Sequence, residues 1–175
     1  GTTNGGGAYN GGTVFSLTTS GEEAVLHSFG EGTDGKAPDS SNVTPLGGAL
    51  YGTTYQGGKY GKGIVFKMLP SGEMKTLYSF GGKIDDGSYP ESGVIAYRGS
   101  LYGMTQTGGA SDYGTIFRVT LEGKETTLFS FDGGDGRSPW GRLLAEGSNL
   151  YGTTFTGGPD LGTYLQGGTA FRFTP

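Results

Sequence analysis

One sentence of sequence, LYGTTYQGGKYGKGIVFKM from Leu50 to Met68, is written several times along the chain. It returns as LYGMTQTGGASDYGTIFRV from Leu101 and as LYGTTFTGG, followed by GGTAFRF, from Leu150. A shortened copy, GTTNGGGAYNGGTVFSL, stands at Gly1. Anchored on the element Gly-x-x-Phe (Gly12–Phe15, Gly63–Phe66, Gly114–Phe117 and Gly168–Phe171), the period is 51, 51 and then 54 residues. A repeat of that length means that one supersecondary unit is copied and stacked, so the fold class is set before any single residue is weighed.

Between the anchors lie AVLHSF (24–29), KTLYSF (75–80) and TTLFSF (126–131), each ending in Ser-Phe 17 residues after its anchor glycine. Spacing that constant marks framework. Short β-branched and aromatic runs bounded by Gly, Asp and Pro read as strands, and helical periodicity is nowhere convincing. Each unit is assigned four strands: a before the Leu-Tyr (VTPL, GVIAY, GRLLA), b at Leu-Tyr-Gly-Thr-Thr, c at Gly-x-x-Phe and d ending in Ser-Phe. The a–b and c–d connections are tight and glycine-bearing, as hairpins require. The b–c loops (55–62 and equivalents) and d–a loops (30–42, 81–92 and 132–141) are longer. In an antiparallel meander all the long loops fall on one edge, and that edge is where function is sought.

The 175 residues suit a single domain, 1–175, with repeats at roughly 1–49, 50–100, 101–149 and 150–175. Gly is 39 of them, yet no Gly-X-Y triplet runs through the chain, which excludes collagen. With 10 Phe and 11 Tyr at regular positions the chain has the means to bury a core, against low-complexity disorder. A net charge of −4 with singly scattered basic residues argues against a nucleic-acid partner. Cysteine is absent, excluding disulfides, a thiolate nucleophile and zinc–thiolate sites. No apolar run approaches the length of a membrane helix. The chain opens Gly-Thr-Thr inside a repeat, without Met, which predicts a processed, excised or truncated product.

Four-stranded meanders repeated at about 50 residues predict an all-β fold, a β-propeller of antiparallel blades with three and a half repeats in this chain. Strand a, a turn, Leu-Tyr, a double glycine (Gly57-Gly58, Gly108-Gly109, Gly157-Gly158) and strand c resemble the kelch blade, although the kelch tryptophan of strand d is missing. More closely, LYGTT, GG, GTxF, LxSF and DGxxP together resemble the Gloeobacter–Verrucomicrobium tandem repeat family of bacterial surface or secreted proteins, over essentially the whole chain. That resemblance implies an exported protein, extracellular or at the cell surface, and carries over no catalytic residues. The strand inventory leaves three ways to finish the ring: a small four-bladed propeller, an arc completed by a second chain, or part of a longer propeller. A β-trefoil or β-sandwich is the alternative fold, and the fourth Gly-x-x-Phe copy argues against the trefoil.

His27 is the only histidine, and its equivalents Tyr78 and Phe129 mark a site for a flat ring rather than a catalytic base. The glycine pairs are flanked by strands, so they lack the helix N-terminus that a phosphate cradle needs. The d–a loops share Asp-Gly-x-x-Pro at Asp34, Asp86 and Asp135, which reads first as turn chemistry and second as a weak oxygen-ligand set for calcium. Trp140, the only tryptophan, directly follows the shared Pro139 and is placed on a loop beside Arg137 and Arg142, while Tyr89 directly precedes the shared Pro90 one repeat earlier. Tyr60, Tyr113 and Tyr164 belong to the b–c loops on the same edge. Exposed rings among polar residues suit a glycan or a protein partner. The expected function is therefore a non-enzymatic exported binding module. The alternatives are a self-assembling structural subunit and a polysaccharide hydrolase or lyase using carboxylates such as Asp86 and Asp135. Unpaired strand edges favour a homo-oligomer or a place in a longer propeller.

Overall fold

A computed structural model describes residues 1–38, 43–159 and 167–175, and every regular element in it is a strand. The first sheet holds β1 (Thr2–Thr3), β2 (Thr13–Leu17) and β3 (Glu23–Ser28). The second holds β4 (Thr44–Leu46), β5 (Ala49–Thr54), β6 (Ile64–Met68) and β7 (Met74–Ser79). In the third, β9 (Val94–Tyr97), β10 (Ser100–Thr105), β12 (Thr115–Val119) and β13 (Glu125–Ser130) run in order, and a ribbon of β8 (Gly87–Ser88) with β11 (Thr107–Gly108) extends it. The fourth holds β14 (Arg137–Glu146), β15 (Asn149–Thr156) and β16 (Ala170–Phe173). All pairings between these strands are antiparallel, so the all-β meander expected from the repeat is present in each unit.

The same local chemistry shapes each copy. The a–b turns Gly47-Gly48 and Arg98-Gly99 have positive φ at both positions, as a two-residue hairpin with the strands' own twist demands. The c–d pairs carry a bulge at one fixed place, between Val14/Phe15, Val65/Phe66 and Ile116/Phe117. Opposite it, Leu26, Leu77 and Leu128 become the extra residue of β3, β7 and β13. The glycine of Leu-Tyr-Gly lies under the Phe of strand c: a Cβ at Gly52, Gly103 or Gly152 would come within 2.6, 2.5 or 2.4 Å of the ring. That is why a strand interior tolerates glycine here.

Consecutive sheets stack face to face, and a hydrophobic cluster fills each gap. Val14 and Phe29 of the first sheet meet Ile64, Phe66 and Met68 of the second. Tyr51, Val65 and Phe80 meet Leu101, Phe117 and Val119, and Tyr102, Met104 and Phe131 meet Leu143 and Leu150. A Phe pair recurs at the centre of every gap, with ring centroids 5.3 Å apart for Phe29–Phe66, 5.0 Å for Phe80–Phe117 and 5.3 Å for Phe131–Phe171. Each such ring contributes roughly 1.5–3 kcal/mol by burial, which is the main force holding the stack. The first strands of three sheets also meet: Arg142 Nη2 on β14 donates to Thr44 Oγ1 on β4 at 2.6 Å and to the Val94 carbonyl on β9 at 3.1 Å.

Candidate interaction surface

The long-loop edge forms as the alternating connection lengths require, and its rings differ in how far neighbouring loops cover them: Tyr60 stays 44% exposed, whereas Tyr55, Tyr89 and Tyr113 are half-buried. Tyr60 packs over Gly82, where a Cβ would lie 2.6 Å from the ring. Tyr113 lies over Gly133, and the Arg137 guanidinium sits 4.3 Å from the Tyr113 ring centroid. Tyr89 stacks on Tyr55 at 5.1 Å while its hydroxyl accepts from Lys62 Nζ at 2.9 Å, and that bond raises the Lys62 pKa. Burial, with Glu91 and Tyr89 nearby, raises the pKa of Tyr55. These residues clasp the b–c loop 55–62 to the d–a loop 81–92, and Tyr113 to the d–a loop 132–141. Tyr164 lies outside the described residues.

The aspartates of Asp-Gly-x-x-Pro act within their own loops. Asp86 is buried, and its Oδ2 accepts from the Tyr78 hydroxyl at 2.8 Å, Gly81 N at 2.8 Å and Gly82 N at 3.0 Å. Burial and that carboxylate push the Tyr78 hydroxyl pKa well upward. Asp34 does the same work one repeat earlier, accepting from Gly30 N at 2.9 Å and meeting His27 Nε2 at 3.0 Å. Asp135 has Phe129 in place of a polar ring, and its Oδ1 accepts from Asp132 N at 3.0 Å. Among the described residues no three His, Cys, Asp or Glu side chains are grouped closely enough to hold a metal ion.

Trp140 is different. It lies in β14 rather than on a loop, because the strand begins early at Arg137 and pairs Trp140 with Thr153 across a bulge. Thr153 Oγ1 donates to the Trp140 carbonyl at 2.9 Å. The indole stacks on Phe155 at 5.6 Å, and together with Leu144 they form one face: Trp140 is 45%, Leu144 64% and Phe155 66% exposed. Register puts Thr153, Phe155 and Tyr151 on that same side. It is the side turned away from the third sheet.

The equivalent positions explain what kind of surface this is. Ile95 stands where Leu144 does, Tyr51 and Tyr102 where Tyr151 does, and Thr53 and Met104 where Thr153 does. In the second and third sheets all of these are buried against the next sheet. On the fourth, the matching side chains are half-buried or exposed. Leu144 and Phe155 were not singled out in the sequence, where an apolar residue on a strand reads as core. The signal available was positional: the place of Tyr55, Gln106 and Phe155 changes chemistry between copies.

A search of curated proteins finds no match to the chain. The repeat string, the four copied meanders and their common register agree with one family model, the Gloeobacter/Verrucomicrobia repeat, which matches residues 1–175. The chain belongs to the Gloeobacter/Verrucomicrobia repeat family.

Proposed function

We propose that this chain is a non-enzymatic, exported scaffold built in the manner of a β-propeller, and that it binds a protein surface through the outer face of its fourth sheet. The exposed set Trp140, Leu144 and Phe155 carries the reading. Exposed large apolar side chains clustered on one sheet face mark an interaction surface or an aggregation liability. In the third sheet the positions matching Leu144, Tyr151 and Thr153, which are Ile95, Tyr102 and Met104, are buried against the next sheet, so the shape this face complements is a flat protein face rather than a small ligand. Sequential stacking of four meanders, with Arg142 drawing three first strands together, supports the propeller arrangement. Export rests on the family.

The partner first in line is a second copy, and the test is solution mass by light scattering across a dilution series. The wild-type chain is expected to associate at high concentration, and Leu144→Glu to remain monomeric with the same far-ultraviolet spectrum. Glycan arrays run alongside separate the sugar reading: binding abolished by Trp140→Ala, with a monomer at every concentration, would replace the protein partner with a glycan.

A further inference from the structure

The second repeat holds a cavity of about 360 Å³ beside the outer strand of its sheet. β7 contributes Thr76, Tyr78 and Ser79 to its wall, and the b–c and d–a loops contribute Lys59, Tyr60 and Lys83. Every residue around it comes from this one repeat, which lies between two others, so neither end of the chain shapes it. Its volume falls in the range of small-ligand sites.

The repeat departs from its own pattern here. Aligned on the double glycine, Lys59 stands where the first copy has Ala8 and the third has Ala110. The d–a loop is also longer: residues 81–85 separate Phe80 from Asp86, whereas 30–33 and 132–134 do so in the other copies. That loop carries Lys83, where its counterparts read Gly-Glu-Gly-Thr and Asp-Gly-Gly. The other copies build the same meander without either lysine, so the framework does not require them.

The charges are not equally engaged. Lys83 Nζ pairs with Glu125 Oε2, and Asp86 Oδ2 accepts from the Tyr78 hydroxyl and from Gly81 N and Gly82 N. Asp85, exposed on the same loop, is not part of the wall. Lys59 Nζ lies 5.2 Å from the Tyr60 ring centroid and, among the described residues, has no hydrogen-bond or salt-bridge partner. It is the ammonium left to meet an anion. Ser79 Oγ accepts from Lys59 N at 3.3 Å, which leaves its own proton to donate, and Thr76 Oγ1 has no partner among the described residues. The Tyr60 ring beside them is 44% exposed. An uncommitted ammonium, two hydroxyls and an open aromatic ring in one cavity match a sugar that carries a carboxylate.

We infer that this cavity binds a uronate unit of an acidic polysaccharide. Lys59 Nζ donates to the carboxylate, the sugar ring lies against Tyr60, and the Ser79 and Thr76 hydroxyls meet its hydroxyls. The site shares no residue with the fourth-sheet face and does not depend on that face binding a protein.

The test follows the amide signals of the isotope-labelled 175-residue chain during titration with tetrasaccharides of galacturonate, glucuronate and mannuronate. Their methyl esters, which keep the sugar and remove the charge, and a tetraglutamate peptide, which keeps the charge and removes the sugar, are run as controls. At least one uronate is expected to saturate, moving the signals of Lys59, Tyr60, Ser79 and Gly82, with its ester and the peptide weaker by about ten-fold or more. Lys59→Ala should weaken uronate binding about ten-fold. Tyr60→Ala should weaken it about five-fold, while Tyr60→Phe, which keeps the ring, and Trp140→Ala should leave it unchanged. No saturation by any of the uronates, an ester or the peptide binding equally well, undiminished binding in Lys59→Ala, or shifts gathered around Trp140 would each overturn the inference.

Discussion

Pro90 occupies the space that a side chain on Gly63 would need. A Cβ there would lie 2.6 Å from Pro90 Cδ and 2.4 Å from the Thr54 carbonyl oxygen, with φ at +93°. Pro38 stands in the same way at Gly12, and Pro139 at Gly114. The glycine opening strand c and the proline closing the following Asp-Gly-x-x-Pro loop are thus two halves of one contact, which joins each sheet to the next.

Gly63→Ala must therefore accept a left-handed backbone and move either a proline ring or a strand carbonyl. We expect it to cost about 3 kcal/mol or more. Gly47→Ala, at φ +57° with nothing within 4 Å of its Cβ, carries the backbone cost alone, about 1 kcal/mol. Urea melts of the two variants should separate them clearly. Equal losses would mean that the Gly63–Pro90 contact is not tight.

Asp86 and Asp135 share a motif but not a workload. Asp86→Ala strips three donors of their acceptor in a buried site, for an expected loss of about 3 kcal/mol. Asp135→Ala, whose bond to Asp132 N is solvent-facing, should cost about 1 kcal/mol. Thermal melts with millimolar calcium are expected to match those without it, since Asp86 Oδ2 and Asp135 Oδ1 are each engaged within their own loops. A rise in melting temperature that Asp86→Ala and Asp135→Ala both abolish would restore a metal to these loops, because a ligand bound only by the fold stabilises it by mass action.

Much of this architecture was legible in the residues, and the reason is repetition. The strands and the tight and long connections among the described residues follow from the spacing of Gly-x-x-Phe and Ser-Phe. Strand ends were less visible: Arg137–Glu146 is one long strand because Arg137 pairs with Thr156, so Trp140 left its expected loop. The b–c tyrosines looked like a ligand-facing set, and the structure divides them: Tyr113 is half-buried over Gly133, while Tyr60 lies over Gly82 and stays 44% exposed. A pattern of residue types shows that a ring sits at an edge; only the neighbouring loop decides whether the ring is covered.

Glu125 provides a pH signature. Its side chain, 1% exposed, pairs with Lys83 reaching over from the preceding repeat; burial raises its pKa and the Lys83 ammonium opposes that shift. A carboxyl whose pKa is higher in the fold than in the open chain holds its proton more tightly when folded. Its stabilising contribution is full below the ordinary carboxylate range and is lost as pH rises through the raised value. Glu125→Gln should therefore match the wild type near pH 3.5 and gain relative to it by pH 7. Lys83 is half in solvent, so leaving it unpaired costs little. Paired denaturant melts at the two pH values check the direction, and a wild-type advantage that grows with pH would mean the ion pair outweighs burial.

Phe117 and Phe155 are chemically identical side chains on strands, and the stack gives them opposite fates. Phe117 is fully buried against Phe80, and Phe117→Ala should cost about 3–5 kcal/mol by lost burial and the cavity left behind. Phe155 stands 66% exposed beside Trp140, and in the isolated chain Phe155→Ala should change stability by less than about 0.5 kcal/mol. The same substitution should weaken any complex formed on the outer face, because an aromatic anchor matters only once a partner desolvates it. Melts at low and high protein concentration distinguish the two regimes. A cost for Phe155→Ala that appears only at high concentration places a second copy on that face. A large cost that is already present on dilution would mean the ring is covered within the chain, and the face would no longer be free to bind.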